Sequence, residues 1–122
     1  MKKLILSLLT VGLLAFGAVS ASAQSAPKSV IHVVTVKWKA GTTDAQIKAA
    51  LDGVQKLPSA YKGITRVWTK AIKVQGDKTH AFVMEFADEA ALAAYTDSDA
   101  QKEWYKVYTP IREQSTTFDI TN

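Results

Sequence analysis

The chain has 122 residues, of which 15 are Lys or Arg and 11 are Asp or Glu, giving a formal net charge of +4 and no cysteine. This length allows one small domain with a modest hydrophobic core, and the absence of cysteine excludes disulfides and thiolate metal sites. Lys2 and Lys3 account for half of the positive excess, so the charge does not indicate a nucleic-acid partner.

The first 23 residues have the pattern of a secretory signal peptide. Met1-Lys2-Lys3 is followed by an apolar run from Leu4 to about Val19 and by the small-residue site Ala21-Ser22-Ala23. We expect cleavage after this site, leaving a mature bacterial protein that begins at Gln24, is periplasmic or secreted, and has no membrane attachment. The alternative is an uncleaved anchor, because a stretch of about 20 residues could cross a bilayer.

A flexible leader, residues 24–29, precedes the domain predicted for residues 30–122. Its opening strand, Val30 to Lys39, is rich in β-branched and aromatic residues, and both alternating faces are largely apolar. A strand of this kind is covered by a layer on each side. Because the chain can supply only one layer, the other is expected to come from a second copy.

A helix is predicted to follow this strand. Thr43-Asp44-Ala45-Gln46 is a capping box, and Pro58 is expected to stop the helix. Between them, apolar residues recur at helical spacing and form one stripe: Ile47, Ala50, Leu51, Val54 and Leu57.

Two further strands are predicted to form a hairpin. They extend from Ile64 to Val74 and from Thr79 to Phe86, and the turn Gly76-Asp77 joins them. The second of these strands is also largely apolar on both faces. Its outer face needs cover as well, which predicts a homodimer formed through the sheets.

The remaining elements complete a recognisable order. Asp88 caps a short helix that ends near Tyr95, Ser98 starts another helix that continues to about Pro110, and the last strand is Ser115 to Thr121. The order β-α-β-β-α-β predicts an α+β, ferredoxin-like fold, in which the helices cover one side of a four-stranded antiparallel sheet.

Five short segments carry a resemblance to a known family: Ile31-His32-Val33-Val34, Lys56-Leu57-Pro58, Phe82-Val83-Met84-Glu85-Phe86-Ala87-Asp88, Ala91-Leu92-Ala93-Ala94-Tyr95 and Thr117-Phe118-Asp119. In this order they resemble the stress-responsive dimeric α/β-barrel family over nearly the whole mature chain. The resemblance implies a homodimer whose two sheets pack into a barrel. It also implies a pocket between sheet and helices in each subunit.

Only some of the catalytic residues known from this family have counterparts in this chain. Cofactor-free cyclases of this type use a tyrosine, which matches Tyr95, and an opening-strand histidine matches His32. Their catalytic histidine belongs to a His-Pro-x-His motif that reads Ser98-Asp99-Ala100-Gln101 here, and an amide cannot act as a general base. This departure favours a non-catalytic protein that binds a small apolar or aromatic molecule. The alternative is a cofactor-free cyclase, isomerase or monooxygenase that uses Tyr95 and His32.

The predicted ligand-binding residues lie on the helix-facing side of the strands, at the end of the short helix and along the last helix. Gln101, Trp104, Tyr105 and Tyr108 share one face of that helix, which is typical of an aromatic pocket wall or of core packing. The predicted set is His32, Val34, Trp38, Phe82, Met84, Tyr95, Gln101, Trp104 and Tyr108. If these side chains fill their own pocket, the protein is a structural or interaction module. In that case Gln101 merely completes a capping box with Ser98.

No metal or other cofactor is expected. His32 and His80 begin neighbouring antiparallel strands and are predicted to lie about 20 Å apart, and no motif supplies further ligands. Haem binding by one of them is a remaining alternative, as is a purely structural role for His32. Asp119 is expected to pair with a lysine at the dimer contact.

Overall fold

The computed structural model describes residues 28–122, so the predicted signal peptide and most of the leader lie outside the described residues. Four strands form one antiparallel sheet in the order β2-β3-β1-β4, which confirms the predicted ferredoxin-like α+β fold. The elements in chain order are β1 Val30–Trp38, α1 Asp44–Ala60, β2 Ile64–Trp68, β3 His80–Phe86, α2 Glu89–Tyr95, α3 Asp99–Tyr108 and β4 Arg112–Ile120. Among the described residues, no helix combines the length and hydrophobicity needed to span a bilayer.

The first helix begins as predicted but ends later. Thr43 Oγ1 accepts a hydrogen bond from Gln46 N at 3.2 Å, and Gln46 Oε1 accepts one from Thr43 N at 2.9 Å, so the capping box is complete. The prediction that Pro58 stops the helix is wrong, because α1 continues through it to Ala60. Pro58 lies in the last turn, and the backbone N–H of Tyr61 closes that turn on Leu57 O at 2.8 Å. Packing of the buried Leu57 therefore outweighs the missing proline donor.

Three other boundaries differ from the predictions by more than one residue. The second strand ends at Trp68 rather than Val74, and the loop that follows carries the fully exposed Ile72 before the predicted turn at Gly76-Asp77. β-propensity marked this loop as strand, but β2 is an edge strand with only β3 to pair with, and its pairing stops there. At the other edge, α3 ends at Tyr108, a 3₁₀ turn follows, and β4 begins at Arg112 rather than Ser115.

The helices cover the predicted face of the sheet. Val34, Val36 and Phe82 on this face are buried against apolar residues of the helices. The alternation read from the sequence is therefore confirmed for the inner side of β1 and β3, where the core lies: Val30, Val34, Val36, Trp38, Phe82, Met84 and Phe86 from the sheet, Ala50, Val54 and Leu57 from α1, and Trp104 and Tyr108 from α3.

The outer face of the sheet carries a row of apolar side chains across all four strands. Trp68 lies opposite Val83, Val83 opposite Val33, and Val33 opposite Phe118. Opposite residues point to the same face, and Trp68 and Phe118 are 47% and 56% exposed. That a second copy of the chain covers this row stays a prediction. The predicted homodimer depends on this apolar surface.

Candidate functional site

A cavity of about 120 Å³ lies between the inner face of the sheet and helices α2 and α3. The chain builds it because α2 and α3 are short separate helices, with the turn at Thr96 and Asp97 between them. Eight of the nine predicted ligand-binding residues line this space together: His32, Val34, Phe82, Met84, Tyr95, Gln101, Trp104 and Tyr108. Whether they bind a ligand stays a prediction, but the structure does bring them together.

Trp38, the ninth residue, does not line this cavity. Its indole Nε1 donates a hydrogen bond to His80 Nδ1 at 2.8 Å, and the indole packs edge-on against the rings of His80 and Tyr108. Trp38 shares a strand face with His32, but its indole turns to His80 and Tyr108 and leaves the cavity lining at this level of the sheet to Arg112 on β4.

Part of the aromatic face of α3 is core. Trp104 and Tyr108 stack with ring centroids 4.4 Å apart, and Trp104 Nε1 donates to Ala50 O at 2.9 Å. Gly53 permits this approach, because a Cβ atom there would lie 2.6 Å from Trp104 Cδ1. One edge of the face therefore locks α3 onto α1, while its remaining surface lines the cavity.

Two tyrosine hydroxyls are buried without a partner. Within the described part of the chain, neither Tyr95 Oη nor Tyr108 Oη has a hydrogen-bond partner, and the two residues are only 3% and 2% exposed. Ser115 and Arg112 approach the Tyr108 hydroxyl without completing a well-formed hydrogen bond. Burial raises the pKa of both phenols above their ordinary value, so both stay protonated and can donate at neutral pH.

His32 pairs with an acidic residue at the cavity wall. Its Nδ1 lies 2.5 Å from Asp119 Oδ1, and the two residues are opposite each other on β1 and β4. Within the chain, strand register directs the Asp119 carboxylate to this histidine, and its expected pairing with a lysine at the dimer contact stays a prediction. When Nδ1 carries the proton and donates it to Asp119, Nε2 is left as an acceptor.

Gln101 is held by its own helix terminus. Ser98 Oγ accepts from Gln101 N at 3.2 Å, as a capping residue does, but Gln101 Oε1 accepts from Asp97 N at 2.7 Å rather than from Ser98 N. The positive φ of 63° at Asp97 places that N–H within reach. Gln101 Nε2 donates to Tyr105 Oη at 3.2 Å. The side chain therefore lines the cavity with its polar atoms already engaged.

Strand β4 supplies cavity residues that the sequence reasoning missed. Arg112 lies with its guanidinium carbon 5.2 Å from the centre of the Tyr108 ring, and Ser115 and Thr117 line the same space. The predicted strand began after Arg112, which removed that residue from consideration. Alternation back from Asp119 could have assigned Thr117 and Ser115 to the inner face. Leu92, Thr96 and Tyr105 complete the lining.

The lining of the cavity carries basic but not acidic groups. Its ionisable side chains other than tyrosine are His32 and Arg112. Asp119 touches the histidine from a neighbouring depression and does not line this space.

Metal-binding geometry is absent from the described residues, where no three His, Asp or Glu side chains cluster. His80 lies opposite Val36, four residues along β1 from His32, or roughly 13 Å at strand spacing. The two histidines are at different ends of the strand, as predicted, but closer than the 20 Å expected.

Comparison with known proteins places the chain in a family. The model of the stress responsive A/B barrel domain, abbreviated Dabb, matches residues 30–122. A Dabb-family protein with a ferredoxin-like fold from Mesorhizobium loti is 26% identical, with 77% of this chain and 96% of that chain covered and a TM-score of 0.64. No match was found among proteins with curated descriptions.

Two more distant structures share the fold. The hydroxynitrile lyase from Passiflora edulis is 18% identical over 80% of this chain and 95% of its own, with a TM-score of 0.70. A dimeric ferredoxin-like protein of unknown function from Thermobifida fusca is 17% identical over 79% and 92%, with a TM-score of 0.67. These two likenesses show the shared fold, and the match over residues 30–122 confirms the resemblance read from the sequence: the chain belongs to the stress responsive A/B barrel domain family.

Proposed function

We propose that this protein is an exported homodimer that binds a small aromatic or apolar molecule in the cavity between sheet and helices, without catalysis. The observation that carries the proposal is the pair of buried tyrosine hydroxyls, Tyr95 and Tyr108, which have no partner within the described residues. A buried hydroxyl left unpaired costs about 1–3 kcal/mol. A ligand oxygen or a bound water between α3 and the sheet would recover this free energy.

The size of the cavity limits the ligand. Its volume of about 120 Å³ is close to the roughly 150 Å³ of an engineered apolar cavity that accepts benzene. Thr96, Ser115 and Thr117 line the cavity and are also exposed, so they mark its opening. A single ring fits inside with a substituent at the opening, whereas a fused-ring polyketide does not.

The homodimer and the export are parts of the same proposal. The row Trp68, Val83, Val33 and Phe118 offers a second copy an apolar contact across the whole sheet. One similar solved structure is described as a dimer. Export follows from the signal-peptide pattern of residues 1–23.

Native mass spectrometry of protein recovered from the periplasm of an expressing bacterium tests all three parts. We expect a dimer of chains that begin at Gln24 and carry one extra small mass per protomer. A monomer would contradict the dimer, and a chain that retains Met1 would contradict export. Protein without extra mass is then titrated with toluene and phenol by calorimetry.

A cavity-filling variant makes the titration specific. Leu92 is half-buried and lines the cavity, so L92W should abolish toluene binding by filling the space. Ala94 lies on the same short helix but is exposed, so A94W should leave toluene binding unchanged. If the wild-type protein binds neither toluene nor phenol, the binding function is wrong and the cavity belongs to a structural module.

The pair His32 and Asp119 favours a second candidate, a cofactor-free enzyme. A histidine whose Nδ1 is held by a carboxylate presents Nε2 as a proton acceptor. Burial raises the pKa of Tyr95, so its hydroxyl can polarise a substrate oxygen as a hydrogen-bond donor and does not act as a base. A proton acceptor and a hydrogen-bond donor in one cavity suit lyase chemistry, and a hydroxynitrile lyase is among the similar folds.

Cleavage of mandelonitrile, an aromatic hydroxynitrile, tests this candidate through release of benzaldehyde. Activity that is lost in H32Q and Y95F and reduced in D119N, with the dimer intact, would support the enzyme. The exposed Lys102 provides the control, K102Q, which should match the wild type. Cleavage no faster than in buffer, or activity retained in both H32Q and Y95F, would remove this chemistry from consideration.

A further inference from the structure

We propose that the ligand is a single-ring aromatic acid, bound as its carboxylate by Arg112 at the opening of the cavity. This inference rests on the proposed binding function and names the class of molecule that the site selects. Arg112 is half-buried, lines the cavity and lies over the ring of Tyr108 at 5.2 Å. Within the described residues, no carboxylate forms an ion pair with it.

The charges of the cavity favour an anion. No Asp or Glu lines the space, and the other ionisable group of the lining apart from tyrosines, His32, is already paired with Asp119, so the charge that favours an anion is that of Arg112. The cost of partly burying a guanidinium charge is not fully compensated when no counter-ion is paired with it. Its planar N–H donors match the geometry of a carboxylate.

The polar groups around Arg112 complete a carboxylate site. The hydroxyl of Tyr108 is buried and has no partner in the described residues, and Ser115 and Arg112 both approach it. Tyr108 and Ser115 are O–H donors, and Arg112 is an N–H donor. Three donors converging on one volume suit a carboxylate, which accepts hydrogen bonds at two oxygens.

The position of the charge also limits its desolvation cost. Ser115 and Thr117 are exposed on the edge strand β4, so a carboxylate beside them keeps contact with water. The ring would point inward, against the apolar side chains of Val34, Phe82 and Met84. An aromatic acid thus places its apolar part in the apolar interior and its charge at the wet opening.

Calorimetric titration with benzoate, benzamide and toluene tests the inference. Benzamide has nearly the shape of benzoate but no charge, and toluene reports the ring site alone. We expect the wild type to bind benzoate about ten- to hundredfold more tightly than benzamide, as charged hydrogen bonds allow. R112Q should make the two affinities equal while toluene binding is retained, and Y108F should weaken benzoate more than toluene.

The control is K102Q, which removes an exposed positive charge on α3 outside the cavity and should keep the benzoate preference. Retained toluene binding would show that the R112Q variant is folded. If R112Q does not fold, the relative loss of benzoate and toluene binding in Y108F tests the inference instead. A wild type that binds toluene but does not distinguish benzoate from benzamide overturns the carboxylate inference and leaves the binding function standing. A preference that survives R112Q overturns the role of Arg112. If none of the three molecules binds, the binding function and this inference both fall.

Discussion

The inner side of the sheet has two ends that differ in how their polar groups are paired. At the closed end, Trp38 Nε1 donates to His80 Nδ1 at 2.8 Å, and Thr79 Oγ1 lies 3.0 Å from the same nitrogen. At the cavity end, Tyr95 is equally buried, but its hydroxyl has no partner among the described residues. Both ends combine a histidine with large aromatic rings.

The difference shows why residue type alone does not identify a site. At the closed end, the indole N–H of Trp38 is satisfied by His80 Nδ1, so this buried donor already has its partner within the protein. At the cavity end, the buried hydroxyl of Tyr95 has no partner among the described residues, and the pairing of His32 with Asp119 uses only the Nδ1 atom of its ring. Donor and acceptor satisfaction, rather than composition, therefore separates core from candidate site.

The largest expected effect comes from truncation at the closed end. W38A should destabilise the protein by about 3–5 kcal/mol, because it empties a large buried volume and removes the hydrogen bond from Trp38 to His80. Urea unfolding at one fixed protein concentration measures this, since a dimer's stability depends on concentration. The control is V107A at an exposed position, expected within about 0.5 kcal/mol of wild type. A comparably small loss in W38A would mean that this end is not closed.

Two neighbouring tyrosines, Tyr61 and Tyr95, test whether a hydroxyl with a hydrogen-bond partner contributes more to stability than one without. Tyr61 Oη donates to Ala91 O at 2.6 Å, so Y61F should cost about 0.5–1.5 kcal/mol by removing this hydrogen bond. Tyr95 lies 5.5 Å from Tyr61, ring centre to ring centre, and Y95F should be neutral or stabilising in ligand-free protein. The same unfolding experiment measures both variants. Equal losses would show that the Tyr95 hydroxyl has a partner after all.

Alkaline pH should lower the free energy of unfolding through the two buried tyrosines of the cavity. Burial raises the pKa of Tyr95 and Tyr108 above their ordinary value of 10.0. The folded state then holds these protons more tightly than the unfolded state. Their contribution to stability is full below pH 10.0 and is lost as pH rises above it, by at most about 1.4 kcal/mol per pH unit for each group. Unfolding free energies of Y95F and Y108F should fall less steeply over this range, and an unchanged slope would contradict the assignment.

A small loss of stability is expected from truncation at the cavity wall. Leu92 is half-buried beside space that already exists, so L92A should cost only about 1 kcal/mol, well below W38A, because little new void is formed. The same variant should admit larger rings, which titration with naphthalene would show. A loss as large as that of W38A would mean that the cavity end is packed as tightly as the closed end.

Much of the fold was predictable because local rules agreed with it. Alternation in Val30 to Trp38 identified the inner face, and the capping box at Thr43 marked the start of α1. The failures are at positions where packing or pairing outweighs local preference. Pro58 sits inside a helix held by its neighbours, and the residues after Trp68 have strand-like composition without strand pairing.

The sequence predicted which residues would line the candidate site, but not how their side chains contact one another. Helical and strand spacing brought eight of the nine residues to one cavity, because periodicity determines which side chains share a face. Spacing could not show that Trp38 is satisfied by His80, that Asp119 meets His32, or that Arg112 reaches the ring of Tyr108. Each of these contacts joins residues more than 40 positions apart or across a helix–strand corner. These contacts are determined by the strand register and by the shift in register at the start of β4. Both features arise only when the strands pair in the tertiary structure.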